Sequence, residues 1–256
     1  MQVVPTPSLG GMEAAVQEQL RQEREDLEAL AADPDVDPAK LAETYGEMGQ
    51  IYLAYDLGTA AEACLYNAHV LAPEDFRWPY LLATRYQQER RLDQALASFE
   101  AALTLRPRDL PALIRLGEVR LARDEPDEAG AAFERALVVD KSSAAAYAGL
   151  AKAAVARGES EAAVRHFEKA LEIEPDASAL RYPLAIAYRE LGRIDDARRQ
   201  LQLRGDVEVS FEDPLIADLA KLAAGSGIHV MAGNRALRKG QVEVAIDRYR
   251  RALAAN

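Results

Sequence analysis

A pattern of small and bulky residues returns every 34 residues along this 256-residue chain, and that interval constrains the fold more than any other feature. It is cleanest between Phe76 and Asp109, where Ala95, Phe99, Ala102 and Pro107 stand. Ala129, Phe133 and Ala136 follow at the same interval, then Ala163, Phe167, Ala170 and Pro175, and Ala61, Leu65, Ala68 and Pro73 precede. A fixed period of this kind means that supersecondary units stack on one another instead of enlarging one core. Numbering each repeat from Ala42, Phe76, Leu110, Ala144 and Ser178, position 8 is Gly49, Ala83, Gly117, Ala151 or Ala185, and position 20 is always alanine. Small residues there let two antiparallel helices approach closely, while the bulky residue at position 24 fills the space beside the contact. Each repeat is therefore predicted to be a helical hairpin, with turn formers such as Gly158 and Gly192 between its helices and Pro73, Pro107 and Pro175 closing the second. Composition agrees: 49% of the residues are apolar but only 6% aromatic. An all-α fold is expected, since a β fold needs runs of Val, Ile, Thr and aromatics.

The spacing, the small residues at positions 8, 20 and 27, Tyr52, Tyr86 and Tyr188 at position 11 and proline at position 32 together resemble the tetratricopeptide repeat (TPR) family. The resemblance covers residues 42–204 as five repeats, 42–75, 76–109, 110–143, 144–177 and 178–204. It implies a right-handed superhelical solenoid of TPR-type hairpins, whose first helices line a concave groove at positions 2, 5, 6, 9, 12 and 13.

The flanks depart from the repeat. Residues 1–11, with Pro5, Pro7 and the Gly10-Gly11 pair, read as an extended leader. Residues 12–41 read as an N-terminal cap helix and turn, the helix ending at Ala31 with Val16, Leu20, Leu27 and Leu30 as its packing stripe. In the turn, Asp33, Asp35 and Asp37 alternate as at the start of a calcium loop, but Pro38 and Thr44 stand where that loop needs Gly and Glu. Helix-capping aspartates are the expectation. Arg204 replaces alanine at position 27 of the fifth repeat, and residues 205–225 form an insertion carrying an extra helix with Leu215, Ile216, Leu219 and Leu222 on one face. Residues 226–256 then read as a degenerate sixth repeat with Gly233, Ala245, Tyr249 and Ala252 in place. It stops at its position 31, so the expectation is an array cut short.

Net charge of −11 opposes nucleic-acid binding, because that affinity rests on Lys and Arg displacing counterions. No apolar run is long enough to span a membrane. Cys64 is alone, which excludes an internal disulfide and leaves the compartment open between cytoplasm and periplasm; in an alanine-rich helix it reads as a small buried hydrophobe. His69, His166 and His229 fall in different repeats without the spacing of a zinc site. Gly225-Ser-Gly227 lacks the third glycine of a dinucleotide loop. No catalytic residue, metal or cofactor is expected.

What remains is a surface. The candidate partner-binding residues are Arg77, Tyr80, Leu81 and Thr84 in the second repeat and Ile114, Arg115 and Glu118 in the third. Lys152 follows in the fourth, and Tyr182, Ile186 and Arg189 in the fifth. Tyr and Arg most often carry binding energy. Pro183 is expected to bend this wall from inside its helix. The clamp with which some relatives grip a C-terminal carboxylate is missing, since Gly46, Gln50, Leu81 and Thr84 stand at its positions. The reading is a non-catalytic scaffold that holds an extended or helical segment of a partner protein. Its bland counterpart is that Tyr80, Ile114 and Tyr182 pack against neighbouring repeats and bind nothing. The alternative is a homo-oligomer joined through opposite charges: residues 1–50 carry 11 acidic and 3 basic side chains, residues 231–256 carry 2 and 6.

Overall fold

The structure is a computed structural model that describes all residues except 11, 13, 224–229, 231–232, 234–235, 238–241 and 255–256. Among the described residues every regular element is a helix. In chain order these are α1 (Ala14–Ala31), α2 (Pro38–Ala54), α3 (Gly58–Leu71), α4 (Arg77–Gln88), α5 (Leu92–Leu105), α6 (Leu110–Ala122) and α7 (Pro126–Val139). Then come α8 (Ala144–Ala156), α9 (Ser160–Ile173), a 3-10 turn at Ser178–Leu180, α10 (Arg181–Glu190), α11 (Ile194–Gln202), α12 (Pro214–Ala223) and α13 (Val242–Ala254). Two compact units result: residues 1–85 with 213–256, and residues 86–212.

The same local chemistry begins four of the first helices, α2, α4, α6 and α8, whereas α10 has no side-chain cap. Side chains of Asp37, Asp109 and Ser143 accept hydrogen bonds from the amides of Ala39, Ala112 and Ala146, and Asp75 accepts from the Arg77 amide at 3.0 Å. Each cap satisfies an amide that the first turn leaves without a partner. Between the helices of each of the first five hairpins, position 15 is left-handed: Asp56, Arg90, Asp124, Gly158 and Gly192 have φ of 55°, 59°, 61°, 74° and 72°. Only two of the five are glycines, so the backbone demand is stricter than the sequence shows.

Within the hairpins the position-20 alanines Ala61, Ala95, Ala129 and Ala163 are fully buried, and so are Leu65, Phe99, Phe133 and Phe167 at position 24. Phe133 explains two glycines at once. A Cβ on Gly117 would lie 2.5 Å from its ring and one on Gly149 2.3 Å, so the ring occupies the space that both neighbours leave open. The fifth repeat relaxes this arrangement. Leu201 is 37% exposed, Arg204 is exposed, and α11 has 9 residues where α3, α5, α7 and α9 have 14. With arginine at position 27 there is no small residue to continue the close contact, and the helix stops before reaching it. Pro183 does not interrupt a helix: the chain enters through the 3-10 turn, α10 begins at Arg181, and the proline sits in its first turn, where a missing N–H costs little.

In the first unit α1 packs against α2 through the buried Leu20 and Leu27. The extended leader is pinned as well. Asn67, fully buried, accepts from the Gln2 amide at 2.6 Å and donates to the Gln2 carbonyl at 2.9 Å, while Arg24 donates to the carbonyls of Val4 and Pro5. The inserted helix α12 also packs on α2, with Leu222 buried. Of the sixth repeat, Ala245 and Ala252 are buried, and a Cβ on Gly233 would fall 2.6 Å from the Tyr249 ring. Residues 225–227 and His229 lie outside the described residues.

The turn geometry predicts that Gly158→Ala destabilises the chain by about 1 kcal/mol, because alanine is penalised in the left-handed region. Gly158→Asn, a residue that tolerates this conformation, should cost clearly less. Midpoints of urea unfolding followed by helical circular dichroism check the ranking; equal midpoints for the two variants would contradict it.

Candidate interaction surface

In the first unit the second repeat commits much of its predicted wall to internal contacts. Arg77 donates to Glu43 at 2.6 Å and to Asp75 at 2.6 Å, and its guanidinium lies 4.2 Å from the centre of the Trp78 ring. Glu43 and Arg77 share position 2 of successive repeats, so the pair joins two first helices. Tyr80 is buried and its hydroxyl donates to Asp213 at 2.6 Å. Asp213 in turn accepts from the Ile216 amide and caps α12. Leu81 is fully buried; Thr84 is buried and donates to the Leu81 carbonyl.

The second unit keeps more of its wall in solvent. Ile114 is buried, Arg115 and Ile186 are half-buried, and Glu118, Lys152, Tyr182 and Arg189 are exposed. Glu118 accepts from Gln87 at 3.0 Å. Tyr182 is 56% exposed, which is unusual for a large aromatic on a helix that otherwise buries Leu184, Ala187 and Tyr188.

One part of the surface was not anticipated. Residues 205–212, the first part of the insertion, lie on the helices of the second unit as an extended segment. The Gly205 amide donates to the Ser178 carbonyl at 3.3 Å, the Ala179 amide to the Val207 carbonyl at 3.0 Å and the Val207 amide to the Ser178 hydroxyl at 3.3 Å. Val209 packs on the cluster that contains Ala148, Phe167, Leu180 and Leu184. Ser210 donates to Glu174 through its amide and its hydroxyl, and the Arg115 guanidinium lies 5.4 Å from the Phe211 ring centre. A signal was available: Val207, Val209 and Phe211 alternate with Asp206, Glu208, Ser210 and Glu212, the period of an extended segment with one side on protein.

Among the described residues no group of three His, Cys, Asp or Glu side chains is placed to hold a metal ion. Burial pushes both His69 and His166 below the ordinary imidazole range. A cavity of about 380 Å³ beside Leu103, Leu116 and Ala132 includes Arg120, which is paired with Glu100 and Glu125. No helix of the described residues is long and apolar enough to cross a membrane.

Capped helical hairpins at a 34-residue period, with a wall of first helices and no assembled chemical centre among the described residues, define a helical-repeat protein. A tetratricopeptide-repeat family model matches residues 86–153 and 154–220, more than half of the sequence, and the chain belongs to that family. No curated protein matches it. Several solved structures share the fold. MamA from Desulfovibrio magneticus aligns with a TM-score of 0.60 at 20% identity, over 63% of this chain and 91% of that one. YrrB, described as a TPR protein with an unusual peptide-binding site, aligns at 0.59 and 17% identity over 72% and 91%. A tetratricopeptide repeat protein from Parabacteroides merdae aligns at 0.59 and 17% over 95% and 94%. At these identities the likeness is one of fold.

Cys64 belongs to the packing. It is fully buried, and that burial, opposed only by the charge of Arg24, pushes its thiol up to about 12 from an ordinary value near 9. A folded pKa above the unfolded one means that the protonated thiol favours the fold below about pH 9, and that this contribution is lost as pH rises towards 12. At pH 8 the thiolate fraction is lower by on the order of a thousandfold than in an open chain. A disulfide-exchange reagent should therefore leave Cys64 unmodified in native protein and titrate one thiol in urea; rapid native modification would overturn the assignment.

Proposed function

We propose that this protein is a non-catalytic scaffold that holds an extended or helical segment of a partner protein on the first-helix wall of its second unit. The observation that carries the reading is Tyr182, a large aromatic left in solvent at an inward repeat position, in a wall that also exposes Glu118, Lys152 and Arg189. Aromatic and arginine side chains combine contact area with hydrogen bonding, which suits them to anchor a partner. Membership of a repeat family supports the reading, as does the peptide-binding site described for YrrB. In the first unit, Arg77, Tyr80, Leu81 and Thr84 serve this scaffold by building the wall.

To test it, partners captured by the wild-type chain are compared with those captured by a Lys152→Glu, Tyr182→Ala, Arg189→Glu variant. The expected outcome is at least a tenfold drop in the recovered partner, about 1.4 kcal/mol or more, with unchanged helicity. An identical partner list at identical yield would refute the placement.

A second reading, self-assembly, rests on the first unit. Val242, Ile246 and Leu253 are exposed at spacings of four and seven on α13, an apolar stripe without cover among the described residues, and the chain's two ends carry opposite net charge. Light scattering at low salt and high concentration decides the matter: a dimer or larger species that dissociates as salt is added is expected, and a monomer throughout eliminates it.

A further inference from the structure

The segment that lies on the second unit is held in an unusual manner for a connection. Its main chain is read at two points, Ser178 and Ala179, which stand at the start of the fifth repeat's first helix, where amides lack intrahelical acceptors. The Val207 carbonyl supplies one of those acceptors. Two side chains then point at the protein: the half-buried Val209 packs against the apolar cluster that includes Ala148, a position-5 wall residue, and the half-buried Phe211 has the guanidinium of Arg115, a position-6 wall residue, 5.4 Å from its ring centre. The intervening side chains Asp206, Glu208, Ser210 and Glu212 remain exposed, and Val207 itself is 51% exposed. Alternate side chains in pockets with the main chain hydrogen-bonded between them is how an extended peptide is recognised.

The geometry points to residues 205–212 as a resident occupant of the peptide track of the second unit. Its sequence then states the chemistry of the partner: an extended acidic segment with branched apolar residues two apart and an aromatic two further on, the pattern of Val207, Val209 and Phe211. Asp206, Glu208 and Glu212 give the occupant three carboxylates and no cation, complementary to a wall that offers Arg115 and Lys152. This deepens the scaffold reading and rests on it. A tethered occupant competes at an effective concentration in the millimolar range, so the track of the wild-type chain is mostly filled, and a partner's apparent affinity falls by the fraction that is open.

The test uses the full-length chain and a labelled synthetic peptide of residues 205–212. Two released variants are made: Val209→Ser with Phe211→Ser, and a chain in which residues 205–212 are replaced by alternating Gly and Ser of equal length. Fluorescence anisotropy should show the peptide binding a released variant at least about tenfold tighter than the wild type. A further Arg115→Ala change in that variant should reverse most of the gain. Hydrogen exchange supplies a readout that does not depend on affinity: the Ala179 amide should exchange faster in the released variants and regain protection on adding peptide. A released variant that keeps its helicity yet binds no peptide at about 1 mM, the scale of the tether, overturns the proposal. So does equal binding by wild type and released variants. Those failures leave partner capture through Tyr182 and Arg189 untouched, whereas unchanged capture by the Lys152→Glu, Tyr182→Ala, Arg189→Glu variant with intact peptide binding would count against the scaffold's surface and not against the track.

Discussion

When two helices pack with alanine against glycine or alanine, their backbones come close enough that one bulky side chain must close the gap beside them. That contact, position 20 against position 8 with Leu or Phe at 24, is what the rest of this structure depends on. It recurs in each of the first four repeats with complete burial, at Ala61 with Leu65, Ala95 with Phe99, Ala129 with Phe133 and Ala163 with Phe167. Phe133 shows how strict the fit is, since two glycines on successive first helices, Gly117 and Gly149, both yield to one ring. Large-to-small changes at such a ring cost about 3–5 kcal/mol elsewhere, a large part of a marginal stability. In the fifth repeat, where Arg204 takes the place of a small residue, the second helix shortens and Leu201 turns into solvent.

The repeats and their hairpins were legible because their determinants are local and recur in phase. Residues 34 apart report on the same environment, and Asp37, Asp109 and Ser143 announce helix starts by chemistry that spans only a few residues. The left-handed turn at position 15 was half visible: Gly158 and Gly192 advertise it, while Asp56, Arg90 and Asp124 adopt the same backbone without the residue type that signals it. The wall was legible as a set of positions but not as a set of exposures. Whether Tyr80 meets solvent depends on Asp213, 133 residues away in sequence, and no periodicity carries that information. The packing of Val209 and the approach of Phe211 to Arg115 are likewise tertiary choices, made by a segment whose own pattern is only eight residues long.

The two kinds of surface in this molecule differ in how they spend polarity. Arg77 sits between Glu43, Asp75 and the Trp78 ring, its charge met by two carboxylates and an aromatic face of the protein itself. Lys152, Tyr182 and Arg189 have been left towards water. A partially buried charge that is already matched gains little from a new partner, while an exposed aromatic still has both desolvation and contact to gain. That difference is why the proposed binding role is placed on the second unit.

Asn67 carries a consequence of another kind. By accepting from the Gln2 amide and donating to the Gln2 carbonyl, its side chain imitates the edge of a neighbouring strand. A carboxamide that reads only the peptide group is blind to what the residue bears beyond its Cα. The seat of Gln2 is thus conferred by one helix residue and not by its own side chain, so substitutions can accumulate at residue 2 while the main chain keeps its place. Constancy would be demanded instead of a single asparagine in α3.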